Sequence, residues 1–250
     1  MKIALIGYGK MGKAIEALAL AAGDQIVLKA DLHNIGSWTD DDLSKADVAI
    51  EFSRPDSAVE NIFRCFGAGV PVVVGTTGWL ERLPEVKKRL GTDDGTLLHA
   101  SNFSIGVNLF FELNKMLARL MDRHPEYSSI HIHESHHVHK LDAPSGTAIT
   151  IAEQLTAILD RFERWRSIPF EARKPSDSEG DSLPVYHTRE DEVPGTHSVH
   201  YASPIDEIEI RHTAFSREGF ARGALAAAHW LAAKKGYYTM EDFLKPENKD

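Results

Sequence analysis

From its first residues the chain runs through a short apolar stretch, Lys2–Ile6, into Gly7-Tyr8-Gly9-Lys10-Met11-Gly12. It passes directly on into an Ala- and Leu-rich segment at helical spacing, Met11–Ala22. Glycines packed this tightly between a strand and a helix leave few folds open. The chain must turn sharply, and a helix laid back on the sheet brings the next strand in parallel to the first. Gly7 would allow the tight turn, Gly9 the approach of a pyrophosphate to the backbone, and Gly12 the close packing of helix on strand. G-x-G-x-x-G alone occurs in many turns; a strand before it and a helix after it are the context it requires. The helix start then offers unpaired N–H groups and a positive dipole end to phosphates. Asp31 closes the next strand, Gln25–Ala30, roughly 20 residues past the last glycine, where a carboxylate accepts hydrogen bonds from a ribose.

The alternation continues. Val48–Phe52, Val70–Val74 and Thr96–His99 read as strands, with helices near Ser57–Phe66 and Leu80–Arg89. Such alternation gives a parallel sheet with helices on both faces, so the fold class is α/β. Gly75-Thr76-Thr77-Gly78 and Ala100-Ser101-Asn102-Phe103-Ser104 follow the fourth and fifth strands, at the carboxyl ends where open α/β sheets bind ligands. After about Ser104 the pattern changes. Gly106–Asp122 reads as one longer helix, and Ser128–Ser135 alternates as a strand with one wet face does. Ala148–Phe162 reads as a helix and Lys174–Ser182 as an exposed loop. Three strand-like runs follow, near Val185–Thr188, His197–Tyr201 and Glu207–His212, and then a helical stretch, Phe220–Lys235. The expectation is a dinucleotide-type domain, a mixed domain inserted in it, and a returning C-terminal helix.

Five of the 13 histidines fall within His131-Ile132-His133-Glu134-Ser135-His136-His137-Val138-His139-Lys140. One reading is a metal site: His131 and His133 share a strand face, and His137 and His139 join them if the strand continues. Zinc needs three or four converging ligands, and no cysteine lies nearby. A second reading is acid/base chemistry. Histidine titrates near neutrality and can deliver a proton to a reduced substrate, while an adjacent lysine can hold an anion or donate a second proton. For His131 and His133 the plainer reading is a half-exposed strand whose histidines are solvated or bonded locally. Leu141–Ala148 then runs from a turn into a helix, with Ser145 placed to cap it and Gly146 and Thr147 in its first turn. Such an end binds carboxylates.

Glu134 to Ala148, E-S-H-H-V-H-K-L-D-A-P-S-G-T-A, closely resembles the signature of the bacterial dihydrodipicolinate reductases (4-hydroxy-tetrahydrodipicolinate reductases). The resemblance extends through Phe52-Ser53-Arg54-Pro55, Gly75–Gly78, Ser101–Ser104 and Phe215-Ser216-Arg217, and so covers most of the chain. It implies a Rossmann-like parallel-sheet domain, 1–104 completed by 217–250, and a mixed α/β substrate-binding and oligomerisation domain, 105–216, assembled as a homotetramer. It implies reduction of 4-hydroxy-tetrahydrodipicolinate, a small cyclic dicarboxylate, to tetrahydrodipicolinate with NAD(P)H in lysine and diaminopimelate synthesis. On this resemblance Gly7, Gly9, Lys10, Met11, Gly12 and Asp31 hold the adenosine half of the cofactor. Gly75, Thr76 and Thr77 pass near its ribose and nicotinamide, and Ala100, Ser101, Asn102 and Phe103 line the nicotinamide. His136 matches the proton donor and Lys140 the second proton donor. His137, Lys140, Gly146 and Thr147 match substrate-carboxylate contacts, with Arg217 a further candidate. No metal is implied. The segment between Asp31 and Val48 is shorter than in well-known members. Leu32 also stands where some carry an arginine that can meet a 2′-phosphate, so NADH is the expected preference over NADPH. Another two-domain NAD(P)-dependent amino-acid dehydrogenase would share the first half but would not need the histidine–lysine segment and its P-S-G-T tail.

Charge and cysteine content narrow the remaining classes. Lys and Arg number 28 against 37 Asp and Glu, a net charge of −9 over 250 residues. That runs against coating nucleic acid or an anionic membrane. The single cysteine, Cys65, excludes an internal disulfide and fits a reducing cytoplasm. No apolar run approaches the roughly 18–20 residues of a membrane span, and Met1–Gly7 lacks the pattern of a leader.

Overall fold

The structure is a computed structural model and describes residues 1–31, 37–178, 180–216 and 218–245. In chain order, β1 (Lys2–Ile6), α1 (Lys10–Ala21), β2 (Gln25–Ala30), α2 (Asp40–Leu43), β3 (Val48–Glu51), α3 (Pro55–Gly67), β4 (Val72–Val74), α4 (Leu83–Thr92) and β5 (Thr96–His99) form the opening half. A longer helix, α5 (Ile105–Met121), leads to β6 (Ser129–His136), α6 (Gly146–Thr156), β7 (Arg164–Pro169), β8 (Ser182–Arg189), β9 (Gly195–Ala202) and β10 (Glu207–Ala214). The chain closes with α7 (Glu218–Leu231), β11 (Gly236–Tyr238) and α8 (Met240–Leu244). It divides into two compact units, Met1–Asn108 with Glu218–Asp250, and Leu109–Arg217. The division falls inside α5 rather than ahead of it.

The first unit is a six-stranded parallel sheet in the order β11-β5-β4-β3-β1-β2. The strand order reverses direction between β1 and β3, the point at which such sheets open a crevice for ligands. The central strands read as continuous apolar runs because both faces are covered. Ala4, Ile6, Ala49, Val72 and Val74 pack on α3 and α4 residues such as Ile62, Phe66 and Val86. Ile3, Leu5, Ile50, Val73 and Leu98 point the other way, onto Ile15 of α1 and the alanines of α7. α7 lies so close that a Cβ on Gly223 would stand 1.7 Å from the Phe103 carbonyl oxygen. Small residues at Ala221, Ala224, Ala227 and Ala228, all buried, serve the same close packing.

The second unit is a five-stranded mixed sheet in the order β10-β9-β6-β8-β7. β6 is central, antiparallel to β9 and parallel to β8. The helix expected over Ala148–Phe162 ends at Thr156, and Leu159 and Phe162 are buried in the turns that follow. β7 is an element the sequence reading lacks: its exposed Arg164 and Arg166 give it the look of a loop, but it pairs with β8 as an edge strand. The stretch expected as an exposed loop before β8 is more ordered than that. Asp177 is buried, accepts from Arg166 Nη2 at 3.1 Å and from the Lys174 amide at 2.7 Å, and takes the Tyr186 hydroxyl at 3.3 Å.

Candidate active site

In the first unit the glycine turn is built as its spacing requires. Gly7 has φ +95°, and a Cβ there would fall 2.0 Å from the Phe52 carbonyl oxygen. The amides of Gly7 and Tyr8 both donate to the Ala30 carbonyl, at 2.8 and 3.0 Å, which fixes the turn against the end of β2. Gly9 is the residue before α1 and gives it no side-chain cap. A Cβ on Gly9 would meet nothing within 4 Å, so the space in front of the uncapped helix start is open. A cavity of about 390 Å³ lies there, at the β1/β3 crossover, walled by Gly7, Gly9, Asp31, Trp38, Arg54 and Arg64. Asp31 stands half-buried at the end of β2. Uncapped amides for phosphates, a carboxylate at the end of the neighbouring strand and a bare backbone between them fit a dinucleotide. Lys10 is exposed beside the turn, whereas the Met11 side chain packs into the core.

Trp38 and Arg64 escaped the sequence reading. The Arg64 guanidinium lies 3.4 Å from the centre of the Trp38 ring and is held by Asp40 at 2.9 Å, making a flat wall to the cavity. No local pattern links residues brought together from a loop and from α3. Leu32 lies outside the described residues.

The two later loops converge on the same strand ends. The Ser53 amide donates to Thr76 Oγ1 at 2.8 Å, and Gly75 donates to the Glu51 carbonyl at 2.9 Å. Gly75 has no room for a side chain, since a Cβ would lie 2.1 Å from the Phe52 ring. Beneath them Glu51 is fully buried and receives Ser53 and Asn61 on one carboxylate oxygen. Burial pushes its pKa above the usual carboxylate range, against the lowering effect of those bonds. Thr77 and Ser101 are exposed and Ala100 and Asn102 half-buried. Phe103, expected to line a nicotinamide, does something else. Its ring is 1% exposed and packs on Phe52, and its carbonyl faces Gly223, so its side chain belongs to the core.

In the second unit β6 ends at His136, so His137 and His139 leave the strand face that carries His131 and His133. His131 stacks on His200 with centroids 4.5 Å apart, and His133 bonds Thr188 at 2.8 Å and stacks on Phe170. They are locally bonded, as the plainer reading had it. Burial, with His200 and His133 adding to it, pushes His131 down to about 4.

The buried centre of this unit is Glu134. Its carboxylate accepts the Ser145 amide on both oxygens, at 3.1 and 3.0 Å, and the Arg189 guanidinium lies 3.4 Å away. His136 Nε2 stands 3.5 Å from it and His197 Nε2 3.7 Å. Burial alone would raise Glu134; the bonds from His136, His197 and Ser145 outweigh it and hold the group well below the usual carboxylate range. His197 is pushed down by burial despite that carboxylate. Ligand atoms of Glu134, His136 and His197 lie within 4.8 Å of one another, close enough for one cation. The Arg189 guanidinium and the Ser145 amide already answer the carboxylate's charge.

The loop from His137 to Ser145 is tied back to this centre in its second half. Arg189 donates to the Asp142 carbonyl at 2.6 Å, and Ser145 caps α6 by accepting the Ala148 amide at 3.2 Å. Intrahelical bonding starts at Ile149, which leaves the Gly146 and Thr147 amides pointing out of the helix start. Lys140 Nζ donates to both oxygens of Asp142 at 2.9 Å, and that bond lowers Asp142. Among the expected site residues of this unit, His136, His137, Lys140, Gly146 and Thr147 thus sit around one loop. Arg217 lies outside the described residues. The sequence reading gave no role to Glu134, Arg189 or His197; the last two reach the site only through sheet register.

Residues 1–103 match the model for the N-terminal part of dihydrodipicolinate reductase, and residues 106–244 the model for its C-terminal part. The chain is 45% identical over 248 residues to a 4-hydroxy-tetrahydrodipicolinate reductase of Christiangramia forsetii, covering 98% of each. It is 34% identical to a 4-hydroxy-tetrahydrodipicolinate reductase of Archaeoglobus fulgidus, covering 98% of this chain and all of that one. A solved structure, the dipicolinate-bound dihydrodipicolinate reductase of Paenisporosarcina sp. TG-14, superposes with a TM-score of 0.79 at 22% identity, covering 98% of this chain and 99% of the other. That likeness is one of fold.

Proposed function

The chain belongs to the dihydrodipicolinate reductase family, and on that premise we propose how it works as an NAD(P)H-dependent 4-hydroxy-tetrahydrodipicolinate reductase. It is an oxidoreductase that yields tetrahydrodipicolinate. A bound reduced nicotinamide supplies the hydride. Everything else falls to the protein's own groups. Gly7, Gly9, Lys10 and Gly12 hold the dinucleotide's phosphates on the α1 start, and Asp31 holds its adenosine ribose. Trp38 and Arg54 flank the adenine end. Thr76, Thr77, Ala100, Ser101 and Asn102 border the other end.

The substrate is a small ring with two carboxylates. Those anions settle on the Gly146 and Thr147 amides, on Lys140 and on His137, so it binds although the whole protein carries −9. Negative charge that builds on the ring during reduction is quenched by a proton from His136, with Lys140 as the second donor. The observation that carries this reading is the Glu134 carboxylate, which joins the end of β6, where His136 sits, to the start of α6 through the Ser145 amide. One buried group thereby fixes a proton donor beside an anion cradle.

Asp31 disfavours a 2′-phosphate, so NADH is the preferred cofactor and NADPH the poorer one. We take the enzyme to work in the cytoplasm as a homotetramer; no helix among the described residues is long and apolar enough to cross a membrane. The deciding assay supplies freshly generated 4-hydroxy-tetrahydrodipicolinate with NADH or NADPH. Cofactor oxidation with this substrate and none with a simple 2-oxo acid plus ammonia is expected; the reverse pattern sinks the reading. His136→Gln should lower kcat by about 10²-fold or more, with little change in NADH affinity.

A further inference from the structure

His197 is 4% exposed and belongs to β9, where it pairs across the sheet with Glu134. Its Nε2 faces three polar atoms at once: His136 Nε2 at 3.3 Å, Ser145 Oγ at 3.0 Å and Glu134 Oε2 at 3.7 Å. We propose that His197 is a positioning residue for His136: it holds the Nε2 edge of that ring, so that the proton exchanged with the substrate is the one on Nδ1. This rests on the reading of His136 as the proton donor.

The argument is one of proton count. Two imidazole nitrogens 3.3 Å apart share one hydrogen, so one ring donates and the other accepts. A cationic His136 carries a hydrogen on both nitrogens and must be the donor. His197 must then be neutral and accept at Nε2. Its surroundings favour that state, because burial disfavours its charged form. After His136 gives up a proton, its Nε2–H still bridges to His197, so the bond that breaks is Nδ1–H. The proton goes to the reduced ring of the substrate, and no other group changes charge. Which nitrogen of a histidine is active is set by the bond its other nitrogen makes.

The remaining contacts serve the same end. Among the described residues, the ring of His136 makes its polar contacts through Nε2. A Cβ on Gly195 would lie 2.8 Å from His136 Cε1 and 3.1 Å from Nδ1, so the ring keeps its place beside β9 only because residue 195 carries no side chain. Glu134 lies 3.5 Å from Nε2 and cannot turn away, because Arg189 and the Ser145 amide fix it. Ser145 Oγ accepts the Ala148 amide, and its own hydroxyl hydrogen, 3.0 Å from His197 Nε2, can only donate there, which suits a neutral, accepting His197.

The test compares His197→Gln, His197→Asn and His197→Phe in the full-length enzyme. Glutamine places a polar atom near the position of Nε2; asparagine is too short, and phenylalanine fills the space without an acceptor. The expected result is a kcat lowered about 10- to 100-fold in the Phe and Asn variants and close to wild type in the Gln variant. KM for NADH and affinity for dipicolinate should be unchanged in all three. A role in packing alone predicts the opposite order, with Phe best tolerated. Wild-type kcat in the Phe and Asn variants beside a crippled His136→Gln overturns the proposal and leaves His136 in place. Wild-type kcat in His136→Gln overturns the underlying reading. If the Phe variant fails to fold, the Gln and Asn variants decide, and equal activity in those two counts against the proposal.

Discussion

Glu134 and His197 stand directly opposite each other on β6 and β9, carboxylate oxygen to imidazole nitrogen 3.7 Å, with neither side chain open to solvent. A buried carboxylate is costly unless every bond it needs is present. Here three elements supply them. Removing the carboxylate therefore leaves Arg189 uncompensated and the start of α6 untied.

Glu134→Ala should cost about 3–5 kcal/mol of stability, measured by urea unfolding at pH 7. The acid side carries a further expectation. The folded group is held below its ordinary value of 4.5, so its stabilisation is complete above that pH. It is lost as pH falls below 4.5 toward the folded value, because the unfolded chain takes up the proton first. The stability gap between wild type and variant should narrow steadily between about pH 4.5 and 3. A gap that stays constant over that range excludes Glu134 as the source.

On the proposed reading Lys140 must leave Asp142 to meet the substrate; Asp142 holds it with two 2.9 Å bonds yet is itself largely exposed. Exposed pairs of this kind are worth about 0.2–1 kcal/mol. Asp142→Asn should lower the KM for substrate by about 1.4- to 5-fold, with kcat little changed. Steady-state kinetics at low and high salt check this, and the gain should shrink at high salt. An increase in KM would mean that Asp142 positions the lysine and does not compete for it.

On the proposed reading, cofactor choice turns on Asp31. A 2′-phosphate beside its carboxylate brings two negative groups together, so the wild type should favour NADH by roughly 3- to 30-fold in kcat/KM, about 0.7–2 kcal/mol. Asp31→Ala should weaken NADH and spare or improve NADPH. Higher ionic strength should narrow the difference. Better turnover of NADPH by the wild type at low salt would refute the assignment.

Two glycines separate helix propensity from packing. Alanine in place of a helical glycine gains about 0.5–1 kcal/mol where space allows. A Cβ on Gly91 of α4 meets nothing within 4 Å, so Gly91→Ala should raise Tm slightly. Gly223→Ala drives its methyl into the Phe103 carbonyl, which is backbone and cannot rotate aside. It should lose about 1–3 kcal/mol or more. Paired thermal melts decide, and a stabilised Gly223→Ala would show that α7 is less tightly seated than described.

What the sequence disclosed was local. Gly7–Gly12 and Glu134–Ala148 each carry their geometry in consecutive residues, a turn into a helix and a strand into a capped helix. The parallel strands announced themselves because a strand buried on both faces is apolar throughout, as Val72–Val74 is. Elements without such a pattern were missed. β7 exposes alternate arginines, and β11 is three residues long. His197 and Arg189 carry no motif of their own and meet Glu134 through pairing registers that no spacing encodes. Phe103 belongs to a loop at a strand end, and its ring turns into the core onto Phe52, an orientation the loop's sequence does not encode.

The last pieces of the first unit's sheet and core are also the last to be synthesised. β5 has β4 on one side and β11, from near the chain's end, on the other, while α7 covers Ile50, Val73 and Leu98. As the chain leaves the ribosome, a nearly complete first unit must wait, with the part of one apolar sheet face that α7 covers left bare, through the whole length of the second unit. That interval exposes the face to solvent and to other nascent chains. A product that stops short of Glu218 would hold β1 to β5 of that sheet and still lack both its edge strand β11 and the α7 layer.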